Sequence, residues 1–240
     1  MSFDLLSMAV LSISAFVVVT TMANILGSNL RQRIVVGVML GLWFGGVCAV
    51  GAPRSIVGGG SFRTGGLGAL VLLPLIVLPL VTFLSKRRRE RIQHVAMVPL
   101  IAVPALRVLG VLFVLLFAAH RLPAPFAPLA GYGDILTGLL AIPLAWAVAS
   151  RATQPRVTLW LWSALGMGDL IDAIALGTLS APSPFQVFHQ APSSAIMPTL
   201  PWVLIPGFLV PCFFFLHIVV LVKMRSKAMD GLSRFEPKHA

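Results

Sequence analysis

Long apolar runs alternate along this chain with short polar or Gly/Pro-rich breaks, and the length of the runs sets the first expectation. Crossing about 30 Å of hydrocarbon takes about 20 residues at 1.5 Å per residue. Seven runs reach that length, at residues 5–25, 34–52, 66–84, 95–119, 130–150, 157–179 and 201–222. They predict an all-α, polytopic bundle of seven transmembrane helices over residues 1–222, followed by a short basic tail over 223–240. Nothing long enough for a separate soluble domain remains.

Four polar positions inside those runs carry a charge: Arg107, Asp134, Asp169 and Asp172. A charge at the bilayer centre costs about 2.5–3.5 kcal/mol on insertion scales, so an ionisable residue there is a functional candidate by default. Counted from the outer ends of their runs, Arg107 lies about 18 Å deep, Asp169 about 15 Å, Asp172 about 10 Å and Asp134 about 6 Å. That spacing pairs Arg107 with Asp169 in a middle layer and leaves Asp134 and Asp172 nearer the outer face. Asp169 and Asp172 share a helical face with Gly166 and Trp162, and Asp134, Thr137, Gly138 and Ala141 make a second small, polar face. The fourth, fifth and sixth runs are therefore expected to converge on a polar cavity in the outer half of the bundle. Arg107, Asp134, Asp169 and Asp172 would line its ligand or ion pathway. Three acids against one base leave a carboxylate without a countercharge, and such a group in low dielectric suits a proton, a cation or a small polar solute.

Composition removes the soluble alternative, because 58% of residues are hydrophobic, 10% are charged and the mean hydropathy is +0.96, against about 25% charged in soluble domains. The net charge of +11 raises nucleic acid as a partner, but the position of the basic residues speaks for topology instead. With the N-terminus outside, fourteen of the eighteen Lys and Arg residues fall on inner segments, including Arg31, Arg33, the run Lys86–Arg91, Arg151, Arg156 and the tail from Lys223 to Lys238. Arg54, Arg63 and Arg121 fall outside. Short basic loops stay cytoplasmic, which predicts N-terminus out and C-terminus in, a cell membrane of bacterial inner-membrane type, and no nucleic acid partner. The run from Lys86 to Arg91 also suits anionic lipid head groups. The first run lacks a basic n-region, since Asp4 is the one charge before Arg31, and it reads as an uncleaved anchor.

Packing signals complete the bundle. Gly37, Gly41 and Gly45 repeat every four residues, which marks a tight contact within the bundle or with a second copy of the chain. Trp146, Trp160 and Trp162 towards one side, and Tyr132 and Trp202 towards the other, are placed as interfacial belts. Pro74, Pro79, Pro99, Pro104, Pro206 and Pro211 predict kinks in the third, fourth and seventh helices, and Pro143 lies in the fifth. Cys48 and Cys212 have no metal-type spacing and read as buried small residues. The uncharged, proline-rich segment from Ser180 to Pro201 reads as a lid or interfacial segment over the cavity mouth.

Three other functions compete. Gly131-Tyr132-Gly133-Asp134 and Gly166-Met167-Gly168-Asp169 resemble the motif of intramembrane aspartyl proteases, and the resemblance implies two aspartates on adjacent helices activating a water. Pro104-Ala105-Leu106 is similar to a tripeptide of that family, but it precedes both aspartates, and the two carboxyls are estimated at different depths. Paired histidines, His94 with His217 and His120 with His189, raise haem ligation. No flanking signature accompanies them, so no cofactor is expected. Retinal is disfavoured because the lysine nearest the last run, Lys223, sits at its end. A structural or sensory component whose ion-pair network only holds the bundle is the remaining alternative. The balance falls against an enzyme and towards a membrane protein that binds or moves a small polar solute, ion or proton.

Overall fold

All seven apolar runs are helical in the computed structural model of the chain, which describes residues 2–52, 60–150 and 156–233. The helices are α1 (Phe3–Leu26), α2 (Leu30–Gly51), α3 (Gly60–Leu84), α4 (Lys86–His94), α5 (Met97–Ala102), α6 (Val111–Ala118), α7 (Phe126–Ala149), α8 (Arg156–Leu179) and α9 (Val210–Ser233). A 3₁₀ stretch, Val103–Gly110, joins α5 to α6 into one span, and a π turn, Ile205–Leu209, leads into α9. No strand occurs among the described residues. Arg54, Arg151, Arg234 and Lys238 lie outside them, as do the side chains of Arg63 and Lys227.

Six helical spans are long and apolar enough to cross a membrane. The third run is different, because α3 turns by 92° into α4. The cause is local. The apolar run stops at Leu84, and after Ser85 come Lys86-Arg87-Arg88-Arg89-Glu90-Arg91, whose charged heads cannot follow into hydrocarbon. Ile92 alone on α4 is buried.

The helices pack around α9. The apolar window of α9 and its π turn is 72% buried, against 17% for α2, and Cys212, Phe215, Leu216, Val219 and Val220 are shut off from the surface. Contacts of α9 run to α3, α5 and α8, while α7 lies against α8 and the 3₁₀ stretch. Glycines set that last contact. A Cβ at Gly138 would stand 2.5 Å from the Val108 backbone nitrogen, and one at Gly131 would stand 2.9 Å from the Gly110 carbonyl. The two backbones touch directly.

Basic side chains close the helix ends on one face. Arg91 donates to the carbonyls of Ile25 (2.9 Å), Asn24 (3.0 Å) and Gly27 at the end of α1. Lys223 donates to Ile92 (2.8 Å) and Gln93 (2.7 Å) at the end of α4, whereas Arg156 donates at 3.0 Å to a carbonyl within α9, that of Met224. Terminal carbonyls have no intrahelical donor and sit at the negative end of the helix dipole, so cations are favoured there. Residues that the sequence reads only as topology markers are thus clasps. Lys223, read as the start of a solvated tail, is 2% exposed, and α9 continues to Ser233. On the opposite face Arg121 pairs with Asp4 at 2.6 Å and lies over the Trp202 ring.

Several packing expectations change. Nothing lies within 4 Å of a Cβ placed at Gly37, Gly41 or Gly45, so the stripe makes no tight contact inside the protomer. Trp146, Trp160 and Tyr132 are exposed as belt residues are, but Trp162 and Trp202 are buried. Prolines change the winding of the helices at two places: the 3₁₀ stretch begins beside Pro104 and the π turn contains Pro206. Pro74, Pro79 and Pro143 lie within continuous α-helices.

Gly138→Val is expected to lower stability by about 1–3 kcal/mol through overpacking against the 3₁₀ backbone, read as a fall in the thermal midpoint of the detergent-purified protein. Gly41→Ala, whose added carbon meets nothing, is expected to leave the midpoint in place.

Candidate functional site: an enclosed arginine between two aspartates

Arg107 sits in the middle of the 3₁₀ stretch and its side chain has no exposed surface. A 3₁₀ run of eight residues is long, and such a stretch inside a helix commonly marks a functional or strained place. The guanidinium reaches three neighbouring helices. Its Nε donates to Asp134 Oδ1 on α7 at 2.6 Å, its Nη2 donates to Asp169 Oδ2 on α8, and its Nη1 donates to the Gly166 carbonyl at 2.9 Å. Nη1 also meets His217 Nε2 on α9 at 3.2 Å.

That last contact fixes the imidazole. Arginine has only donors, so His217 Nε2 must accept and the ring hydrogen resides on Nδ1. His217 Nδ1 is buried with no hydrogen-bond partner, as are Thr137 Oγ1 and Ser163 Oγ. The Trp162 ring packs on His217 with centroids 4.6 Å apart, and its N–H donates to the Thr137 carbonyl at 3.0 Å.

The two Gly-x-Gly-Asp runs supply both the acids and the room for them. A Cβ at Gly133 would fall on the Asp169 carboxylate, and one at Gly166 would stand 2.5 Å from His217 Nε2 and 2.9 Å from Arg107 Nη1. Glycine at those two positions is what lets a carboxylate, a guanidinium and an imidazole share the space between three helices.

The geometry brings together Arg107, Asp134 and Asp169, and the expected separation into layers is wrong for Asp134. Helix α7 begins at Phe126, four residues before the predicted start, which sinks Asp134 by about 6 Å more at 1.5 Å per residue. Asp134 is therefore a direct partner of Arg107. Asp172 stands apart and is exposed. The buried stripe of α8 follows Leu159, Trp162, Ser163, Gly166 and Leu170. Asp172, two residues past Leu170, is turned about 200° from that stripe. The sequence offers His217 only as a haem ligand beside His94; in the structure its Nε2 accepts from Arg107, and His94 is exposed at the end of α4. No cluster of His, Cys, Asp or Glu fit to hold a metal occurs among the described residues.

A small cleft, with room for about one water molecule, opens beside the cluster. Arg107 and Asp134 form its polar wall, and Leu11, Phe113, Leu170, Ile205 and Phe213 are among its apolar walls. Helices α1 and α9 thus join the three segments expected to enclose it. No residue from Ser180 to Pro201 lines it; that segment is tied instead to its own surroundings, with Ser194 bonded to the Ser180 and Gly177 carbonyls and Leu200 to the Gly51 carbonyl.

Fold and site define a class: an all-helical chain whose long apolar helices fit a multi-pass membrane protein and whose interior holds a buried ion-pair cluster. Residues 50–225 match the model of a family described as a domain of unknown function, DUF8737, and the chain belongs to that family. No curated protein and no solved structure matches the chain.

Removing one partner from a buried ion cluster leaves uncompensated charge, at a cost of about 3–5 kcal/mol. Arg107→Leu is expected to show a loss of that size in denaturant unfolding. The triple variant Arg107→Leu/Asp134→Asn/Asp169→Asn is expected to be more stable than Arg107→Leu alone, because the stranded carboxylates go with the arginine.

Proposed function

We propose that this protein binds or moves a proton, a small cation or a small polar solute at the cleft beside Arg107. One observation carries the reading: two carboxylates, Asp134 and Asp169, close on a single enclosed guanidinium. The cluster has one negative charge in excess, and in a low-dielectric interior that charge calls for a proton or a cation. Asp172, exposed one turn outward on α8, continues the line of carboxylates towards the surface. On the other side the line continues from Arg107 to His217, whose Nδ1–H is unpartnered. In this reading Arg107 fixes the geometry, and Asp169 and Asp134 hold the excess charge.

The reading includes the topology. Counting α3 with α4 as one broken span gives up to seven crossings, and the asymmetry of basic residues supports the N-terminus out and the C-terminus in, in an inner membrane, with 223–240 as the cytoplasmic end. The aspartyl-protease reading is weaker than the motif alone makes it. Asp134 and Asp169 do approach each other, but each is bonded to a different nitrogen of the Arg107 guanidinium, which stands where a shared proton would have to be. A purely structural role is favoured by the complete enclosure of Arg107, and the following measurement separates it.

In lipid-reconstituted wild-type protein, infrared spectra are expected to show a protonated-carboxyl band that Asp169→Asn lacks. If a cation replaces the proton, the expected sign is Na⁺-dependent thermal stabilisation that the variant loses. Identical spectra and identical salt responses in the two proteins would leave the cluster structural and sink the proposal.

A further inference from the structure

Helix α4 is a second charged feature, separate from the Arg107 cluster and on a surface. Its first four residues, Lys86, Arg87, Arg88 and Arg89, are all exposed, and no ion pair among the described residues involves them. Leu84, at the corner before them, is 76% exposed. The 92° turn lays α4 across the axis of α3, so an exposed apolar side chain is followed, after Ser85, by four cations on a helix that lies across that axis.

The shelf is held from both sides. Arg91 binds the carbonyls at the end of α1, Lys223 binds the carbonyls of Ile92 and Gln93, and Ile92 is buried beneath. Arg33 donates to the Gly27 carbonyl that Arg91 also reaches, so it adds a fifth cation to the same rim. The division is clear: Arg91 and Lys223 are committed to carbonyls, and Lys86 to Arg89 are turned outward on a fixed support. A solvated loop would place such charges anywhere. A helix lying across the end of a span holds them at the depth of the head groups, where each is worth about 1 kcal/mol against an anionic surface.

From this placement we infer that α4 is a docking surface for anionic phospholipid head groups of the surrounding bilayer, with Lys86, Arg87, Arg88 and Arg89 meeting the phosphates. The contact is electrostatic and lies at an interface, so it weakens with salt.

The test is native mass spectrometry of the full chain released from mixed phosphatidylglycerol and phosphatidylcholine bilayers, with thermal unfolding in parallel. Wild type is expected to retain phosphatidylglycerol over phosphatidylcholine and to be stabilised by added phosphatidylglycerol. Neutralising the shelf as Lys86→Gln/Arg87→Gln/Arg88→Gln/Arg89→Gln is expected to weaken retention by about fivefold per residue, and Arg31→Gln, in the first turn of α2, to have little effect. Equal retention by the quadruple variant overturns the inference, as does equal stabilisation of wild type by inorganic phosphate alone. If the quadruple variant does not fold, the salt dependence decides in wild type: loss of phosphatidylglycerol with rising salt supports the shelf, and salt-independent retention overturns it.

Discussion

The enclosure of one guanidinium governs the interior of this bundle. Arginine stays charged in any protein environment, so a chain that buries Arg107 must bring acceptors to it from several directions. Here they come from α7, α8 and α9 at once. Small residues then become necessary wherever the helices close around that group. Gly110, Gly131 and Gly138 let the 3₁₀ backbone meet α7, and Gly133 and Gly166 clear the space for polar atoms. The apolar packing of the bundle is conventional. Its register is set by this cluster, because sliding any of the three helices by one residue would withdraw an acceptor from a charge that has no water to replace it.

The fold was legible to the extent that hydropathy alone decides it. All seven apolar runs are helical, since length and hydrophobicity determine what can cross hydrocarbon, but α3 starts six residues early and α9 runs eleven residues past the expected end. The bend after Leu84 was missed because a run of cations was read as a loop, although it is long enough to be a helix of its own. In the site, Arg107 with Asp169 followed from depth, and Asp134 did not, because a boundary error of four residues is worth about a turn of helix. His217 had no signal as a partner: which neighbour an imidazole meets across the bundle depends on how α9 is rotated, and rotation is a matter of tertiary packing. The paired Gly-x-Gly-Asp runs are visible as a pattern, but the clearance that Gly133 and Gly166 provide is not, because it depends on which side chains the neighbouring helices bring there.

The charges of the chain divide by depth. Acids exceed bases around the core, where Asp134 and Asp169 face one arginine, and bases dominate the rim where α1 and α4 end. The rim residues also differ among themselves. Arg91 and Lys223 are tied to carbonyls that end helices, and Arg156 to a carbonyl within α9, so the same composition that orients a membrane chain also fastens its helices together. A count of positive residues merges these two uses, and only the partners of each side chain separate them.

The winding of the span that carries Arg107 has a geometric consequence. A 3₁₀ helix rises about 2.0 Å per residue and turns 120°, against 1.5 Å and 100° for an α-helix. Over the eight residues Val103–Gly110 the tighter winding makes the span about 4 Å longer and sets α6 about 160° out of phase with an unbroken α-helix. Translation and rotation of the segment are therefore coupled, as in a screw. One residue passing from 3₁₀ to α winding would draw α6 inward by about 0.5 Å and turn it by about 20° relative to α5, so the position of the guanidinium is indexed by the pitch of its own helix.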